Sequence, residues 1–195
     1  FPAIRAAVPG TRLRVFSSMA VYQMPESPYQ GLYEHAKTMD GVEYVGSIGQ
    51  TQLAKELANG AALAYPCTFT ETSCIAAIEA MAVGAAVLTT DLGALKETTG
   101  GLAEMIAAHG DKSRLAAEFA AMTIRALQAA KADPTTANEA RTRRLQFAHE
   151  NYLWKDRAKS WSNWLDDICA RKGAPNSSAP AELAATPHTA QSSRV

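Results

Sequence analysis

Glu71 and Glu79 are the residues of this chain whose type and spacing best suggest chemistry. Glu71 lies in the polar run from Thr70 to Ser73, and Glu79 lies about two turns inside the apolar helix predicted to follow. Carboxylates accept hydrogen bonds from hydroxyls, and free N–H groups at a helix start attract phosphate. The pattern suits a site for a sugar joined to a nucleoside diphosphate, but the spacing alone does not decide for it. The alternative stays open at this point: Glu71 favours the helix dipole by about 0.3–1 kcal/mol, and Glu79 is solvated.

Composition excludes several classes of protein. The 195 residues carry 19 basic and 19 acidic side chains, so no basic excess points to nucleic acid. No apolar stretch approaches the roughly 20 residues that span a bilayer. Cys67, Cys74 and Cys169 match no zinc or redox spacing and are expected to be free, mostly buried thiols. The histidines form no cluster, so no metal site is expected. We expect a protein of the cytoplasm, free or peripheral to the inner face of a membrane.

Strand-like and helix-like segments alternate through the first half of the chain. Predicted strands cover residues 13–17, 42–45, 61–65 and 85–90, and predicted helices cover 29–39, 50–59 and 73–83, with Gly60 and Gly84 as helix stops. Strands without polar alternation are typical of parallel sheets covered on both faces. The order predicts an α/β fold with a doubly wound parallel sheet, in which ligands bind at the carboxyl ends of strands. Residues 70–73 follow the third strand and would lie there.

After Gly100 and Gly101 the pattern predicts helices only. These cover residues 111–131, 133–151 and 153–171, and the Gly, Pro, Ser and Thr content of residues 172–195 predicts a disordered tail. We therefore expect one domain over residues 1–171. The first residues resemble the last turns of a helix and lack an initiating Met, which predicts that the chain begins inside a longer protein.

The run from Tyr65 to Gly84 closely resembles the donor-site signature of retaining GT-B-fold glycosyltransferases, the glycosyl transferases group 1 family. Three further segments resemble the same family: the loop at residues 46–48, the strand and turn at 85–97, and the aromatic helix at 152–161. The likeness covers roughly residues 1–168. It implies a Rossmann-like C-terminal half of a GT-B fold, followed by closing helices.

The resemblance also implies roles for individual residues. Glu71 would be catalytic, contacting hydroxyls of the transferred sugar and stabilising the developing oxocarbenium charge. Glu79 would hold the ribose hydroxyls, and Ile48 would lie near the base. Four residues of the loop and the helix start would offer backbone N–H groups to the diphosphate: Thr72, Ser73, Cys74 and Ile75. Thr70 would also belong to the donor-binding residues. No metal cofactor is implied, because the helix N-terminus and basic side chains would neutralise the leaving phosphate.

Two classes of function follow. In the first, the chain is the donor-binding half of an enzyme that transfers a hexosyl group from a nucleotide sugar, with retention, to a carbohydrate, lipid or protein acceptor. The family's basic phosphate-binding pair and its N-terminal acceptor domain would precede Phe1, so the chain alone is expected to be inactive. In the second, the chain is a non-catalytic remnant that binds nucleotide or acts only as a folded module.

Other candidate residues favour structural roles. Asp91 and Glu97 are expected at a turn and a helix end, and Ser17 and Ser18 at a turn. An aromatic stripe at helical spacing is usually packed, and its members are Trp154, Trp161, Trp164, Leu165 and Ile168. The resemblance implies an alternative, in which the closing helices cross back to the other domain and part of the stripe is exposed here.

Overall fold

The computed structural model describes residues 1–172 except residues 18, 20–22, 24 and 26. Ser18 and residues 173–195 of the predicted tail therefore lie outside the described residues. The chain divides into two compact units, Phe1–Leu153 and a second unit that begins at Trp154. No helix in the described part is both long and apolar enough to cross a membrane.

The first unit alternates strands and helices, and its last two elements are long helices. In chain order its elements are α1 (Pro2–Ala7), β1 (Leu13–Val15), α2 (Gln30–Thr38), β2 (Val42–Tyr44), α3 (Gln50–Asn59), β3 (Ala62–Tyr65), α4 (Ile75–Ala82), β4 (Ala86–Thr90), α5 (Leu95–Thr98), β5 (Glu104–Ile106), α6 (Lys112–Ala132) and α7 (Pro134–Tyr152). The second unit contains α8 (Trp154–Lys172). This order confirms the predicted α/β fold with helices at its C-terminal end.

The strands pair in parallel, as predicted, but the described residues form two sheets rather than one. β3 and β5 both pair with β4, and β1 pairs with β2. The two sheets differ in burial. Val87 to Thr90 of β4 are all buried, whereas β1 and β2 expose their middle residues, Arg14 and Glu43, which form a salt bridge across the pair. Only the larger sheet therefore has a strand that is covered throughout, as a central parallel strand requires.

Helices cover both faces of β4. On one face Val87 belongs to a buried cluster with Ala77 and Met81 of α4. On the other face Leu88 packs with Phe119 and Met122 of α6. Adjacent residues of a strand point to opposite faces, so this division follows directly from the strand geometry. The larger sheet is thus covered in the doubly wound manner that the sequence predicts.

Two predictions about individual elements are wrong. Helix α4 begins at Ile75 rather than at residue 73, because Cys74 has an extended backbone with φ −100° and ψ 100°. The expectation of helices only after Gly101 missed β5, a strand of three residues. Its short length gives no periodic signal, and its strand character comes from hydrogen bonds with β4, such as the pairing of Leu88 with Glu104. The short helix α5 was also not predicted.

The aromatic stripe of α8 does not pack as expected. Trp154, Trp161 and Trp164 are 88%, 61% and 54% exposed, although the last two rings meet edge to face at 5.4 Å between centroids. Cys67 and Cys74 are free, buried thiols, as predicted, whereas Cys169 is free but exposed.

Gly60 and Gly84 both end a helix, as predicted, but only Gly84 has a left-handed backbone conformation. Gly84 has φ +82°, and the N–H groups of Gly84 and Ala85 donate to the carbonyls of Met81 and Ala80 at 2.8 and 2.9 Å. This pair of bonds is a Schellman motif. The guanidinium of Arg144 in α7 donates to the Gly84 carbonyl at 3.0 and 3.1 Å, so the same turn anchors α7. Gly60 ends α3 in an extended conformation, with φ −81°.

We predict that Gly84→Ala destabilises the first unit more than Gly101→Ala does. Both glycines have positive φ, so each substitution should cost about 1–2 kcal/mol in backbone strain. A Cβ at Gly84 would also lie 2.5 Å from Cγ of Arg141, whereas a Cβ at Gly101 meets nothing within 4 Å. The free energy of unfolding from urea denaturation measures the difference. Equal losses in the two variants would show that the contact with α7 is unimportant.

Candidate functional site

Glu71 lies in the loop between β3 and α4, and both its side chain and its backbone are held. The hydroxyl of Tyr65, the last residue of β3, donates to Oε1 of Glu71 at 2.6 Å. The N–H of Ala94 donates to the Glu71 carbonyl at 2.8 Å. Within the described residues, Oε2 of Glu71 takes part in no hydrogen bond with another side chain or with the backbone. The half-buried carboxylate is therefore oriented on one side and available on the other.

A glycine turn after β4 packs directly against the backbone of Glu71. Gly93 has φ +60°, and a Cβ there would lie 2.5 Å from the Glu71 carbonyl oxygen and 2.7 Å from its nitrogen. Any other residue would therefore push the two loops apart. The loop after β3 and the turn after β4 consequently form one interlocked structure at the carboxyl edge of the sheet.

The first part of the same loop is fixed by buried polar groups. The hydroxyl of Thr90 donates to the Cys67 carbonyl at 2.8 Å, and the Cys67 thiol donates to the Phe69 carbonyl at 3.1 Å. The Phe69 side chain itself is 71% exposed. A fixed backbone that presents exposed side chains is the usual arrangement of a binding loop on a rigid sheet.

The N-terminus of α4 has no side-chain cap. Cys74 occupies the N-cap position and makes no capping hydrogen bond, and Ile75 at the first helical position is 69% exposed. Burial raises the pKa of the Cys74 thiol, against the opposing effect of the Ala77 and Ala76 N–H groups. The thiol is therefore neutral near pH 7 and adds no negative charge that would repel an anion. A helix N-terminus that lacks a side-chain capping hydrogen bond attracts phosphate groups.

Glu79 lies on α4 beside the start of α3. The side-chain amide of Gln50 donates to Oε1 of Glu79 at 3.2 Å, and Gln50 directly follows the loop that contains Ile48. The structure therefore brings the loop at residues 46–49 next to α4. Glu79 and Ile48 are both half-buried. Glu79 is thus not simply a solvated residue on a free helix face.

The predicted site residues differ in exposure. Thr70, Thr72, Ser73 and Ile75 are exposed, Ile48, Glu71 and Glu79 are half-buried, and Cys74 is buried. Because α4 starts late, only one of the four N–H groups expected at the helix start is helical, and the other three belong to the loop. In the described part of the chain, no three His, Cys, Asp or Glu side chains are grouped as metal ligands would be.

Tyr65 and Gly93 were missed as site residues by the sequence analysis. The sequence gives no signal for the bond between Tyr65 and Glu71, because a separation of six residues across a loop fits no regular period. Gly93 follows a strand, which does hint at a special turn. Asp91 links two segments rather than closing a local turn: its Oδ1 accepts from the N–H of Ala108 at 3.0 Å and joins the segments that follow β4 and β5.

Gly93→Ala should disturb the site more than the rest of the fold. The added Cβ meets backbone atoms of Glu71, which move less easily than a flexible side chain, so we expect a loss of about 1–3 kcal/mol in stability. Backbone amide shifts in a ¹⁵N spectrum should change most at residues 70–75 and 91–95. Changes spread evenly over the first unit would contradict the proposed local contact.

The stability of the chain should depend on Tyr65 at alkaline pH. Burial, and then the hydrogen bond to Glu71, raise the pKa of the Tyr65 hydroxyl above its ordinary value of 10.0. The unfolded chain therefore ionises first, so this stabilisation is present below about pH 10 and is lost as the pH rises further. Tyr65→Phe should lose less stability than the wild type over that alkaline range, as measured by urea unfolding at stepped pH. Parallel curves for the two proteins would refute this.

Solved glycosyltransferase structures share the fold. The pneumococcal O-GlcNAc transferase GtfA, solved in complex with UDP and GlcNAc, matches with a TM-score of 0.64 and 14% identity over 85% of this chain and 31% of its own. Sucrose-phosphate synthase from Thermosynechococcus elongatus matches with a TM-score of 0.59 and 19% identity over 88% of this chain and 49% of its own. The chain thus spans less than half the length of either protein. These likenesses show a GT-B-type α/β fold.

The sequence comparisons identify the family. The search of curated proteins finds no match. The sequence model described as "Glycosyl transferases group 1" matches residues 1–125, which is more than half of the chain and includes Glu71, Glu79 and all the strands. The chain therefore belongs to the glycosyl transferases group 1 family.

Proposed function

We propose that this chain is the donor-binding half of an enzyme that transfers a hexosyl group from a nucleotide sugar to an acceptor, with retention of configuration. The observation that carries the proposal is the grouping at the carboxyl edge of the larger sheet. There an oriented carboxylate, Glu71, precedes an uncapped helix N-terminus, and a second carboxylate, Glu79, lies on the same helix. Membership of the family and the shared fold support it.

The diphosphate of the donor would lie at the start of α4. The N–H of Ile75 and the N–H groups of the preceding loop, Thr72 to Cys74, would donate to its oxygens. The partial positive charge of the helix N-terminus would stabilise the leaving group without a metal ion. The neutral thiol of Cys74 suits this role, since a thiolate there would repel the phosphates.

The two glutamates would hold the two ends of the donor. Glu71, with Thr70 beside it, would accept hydrogen bonds from hydroxyls of the sugar and stabilise the positive charge that develops as the bond to the diphosphate breaks. Glu79 would accept from the ribose hydroxyls, and Ile48 would contact the base. Retention would require the acceptor oxygen to attach to the face of the sugar that the diphosphate leaves.

A second candidate function follows from the length of the chain. It covers 31% and 49% of the two solved glycosyltransferases, which is less than half the length of either. By itself the chain would then bind nucleotide without transferring a sugar. The acceptor, whether carbohydrate, lipid or protein, would be selected by parts of a longer enzyme.

Nucleotide binding tests the proposal directly. We expect UDP, GDP or ADP, or one of their sugars, to bind the chain with a weak, millimolar-range affinity through the N–H groups at the start of α4. Titration followed by ¹⁵N spectra should shift the amides of Ile48, Ser73, Cys74, Ile75 and Glu79. The absence of any shift at millimolar ligand would count against a donor site.

The role of Glu79 can be separated from general effects of charge. Glu79→Ala should weaken binding of the preferred ribonucleoside diphosphate by roughly tenfold, as expected for lost hydrogen bonds to a charged group. It should leave the affinity for the matching 2′,3′-dideoxy compound unchanged, because that ligand has no ribose hydroxyls. Glu139→Ala removes an exposed carboxylate on α7 and serves as the control. Equal losses for both ligands would exclude a ribose contact.

A further inference from the structure

We propose that Tyr65 is a positioning residue that fixes the carboxylate of Glu71 for recognition of the donor's sugar. The inference rests on the proposed function, and it assigns a task to a side chain that the donor contacts above leave unused. Tyr65 closes β3, whose residues pair with β4 up to the Tyr65–Thr89 position. Its backbone is thus held by the sheet, and its side chain packs against the buried cluster that includes Cys67 and Cys74. Its hydroxyl lies 2.6 Å from Oε1 of Glu71 in the loop.

Several other bonds hold the loop backbone. The loop is fixed by the Thr90 hydroxyl on the Cys67 carbonyl, by the Cys67 thiol on the Phe69 carbonyl, and by the Ala94 N–H on the Glu71 carbonyl. None of these bonds uses the Tyr65 hydroxyl, and the Tyr65 backbone carbonyl accepts a further bond from the Cys67 N–H at 2.7 Å. What the phenol hydroxyl restricts is the side chain of Glu71, whose three rotatable bonds would otherwise allow the carboxylate to turn.

The chemistry of the pair fixes which group donates. Burial raises the pKa of the Tyr65 hydroxyl, so the phenol keeps its proton at neutral pH. The hydroxyl therefore donates the hydrogen bond and the Glu71 carboxylate accepts it. An ionised carboxylate has about four acceptor positions on its two oxygens. One is used by Tyr65, and Oε2 is left for other donors, since no described residue occupies it. Hydroxyls of a sugar are donors that fit such an oxygen.

The experiment compares two ligands and four variants of the whole chain: two single variants at the site, their double variant and a control. The affinities for the best-bound nucleotide sugar and for its nucleoside diphosphate are measured by calorimetry. Tyr65→Phe should lower the affinity for the nucleotide sugar on the order of fivefold, the effect of losing the organisation of about one hydrogen bond, and leave the affinity for the nucleoside diphosphate unchanged. Glu71→Gln should lower the same affinity, and adding Tyr65→Phe to it should have no further effect. Tyr152→Phe removes a hydroxyl that donates to the Thr98 carbonyl at 2.8 Å and should change neither affinity.

The possible outcomes separate the two proposals. If the wild type prefers the nucleotide sugar and Tyr65→Phe retains that preference, the positioning role is overturned while the donor site stands. Equal losses for both ligands, or additive effects of Tyr65→Phe and Glu71→Gln, likewise overturn it, since they indicate a general structural role. A wild type that binds the nucleoside diphosphate as tightly as its sugar overturns the inference but not nucleotide binding. A wild type that binds neither ligand overturns the proposed function and the inference together.

Discussion

The structure depends on one strand, β4, which is hydrogen-bonded along both edges and buried on both faces. Its neighbours β3 and β5 run parallel to it, so all three strands end at the same edge of the sheet. The segments that follow them are therefore brought side by side. The Thr90 hydroxyl donates to the Cys67 carbonyl in the loop after β3, and the Asp91 carboxylate accepts from the N–H of Ala108 after β5. The candidate site is built from this convergence.

The site combines a fixed backbone with exposed side chains. Contacts from neighbouring segments hold the loop at residues 66–74, and the approach of Gly93 to Glu71 leaves no room for a side chain between them. The polar residues Thr70, Thr72 and Ser73 nevertheless face solvent. Rigid support with available polar groups is what binding requires, because little ordering remains to be done when a ligand arrives. The uncapped start of α4 adds N–H groups at the same place.

Much of this unit could be predicted from the sequence. The apolar runs of β3 and β4 and the Gly84 stop placed the strands and the end of α4 within one or two residues. The start of α4 was placed too early, because Thr72 and Ser73 are typical N-cap residues whereas Cys74 takes that position. The strand β5 was missed for a different reason. Three residues give no period, and only their pairing with β4 makes them a strand.

The sequence by itself determined the alternating elements, the parallel α/β class and the placement of Glu71 and Glu79 around a helix start. These properties follow from local periodicity, glycine positions and the spacing of acids, all of which can be seen in a single segment. The tertiary structure alone decided that Tyr65 orients Glu71, that Gly93 presses on its backbone, and that Gln50 meets Glu79. Each of these contacts joins groups across a loop or between elements. Their geometry depends on how β3, β4 and α4 pack, which no local pattern specifies.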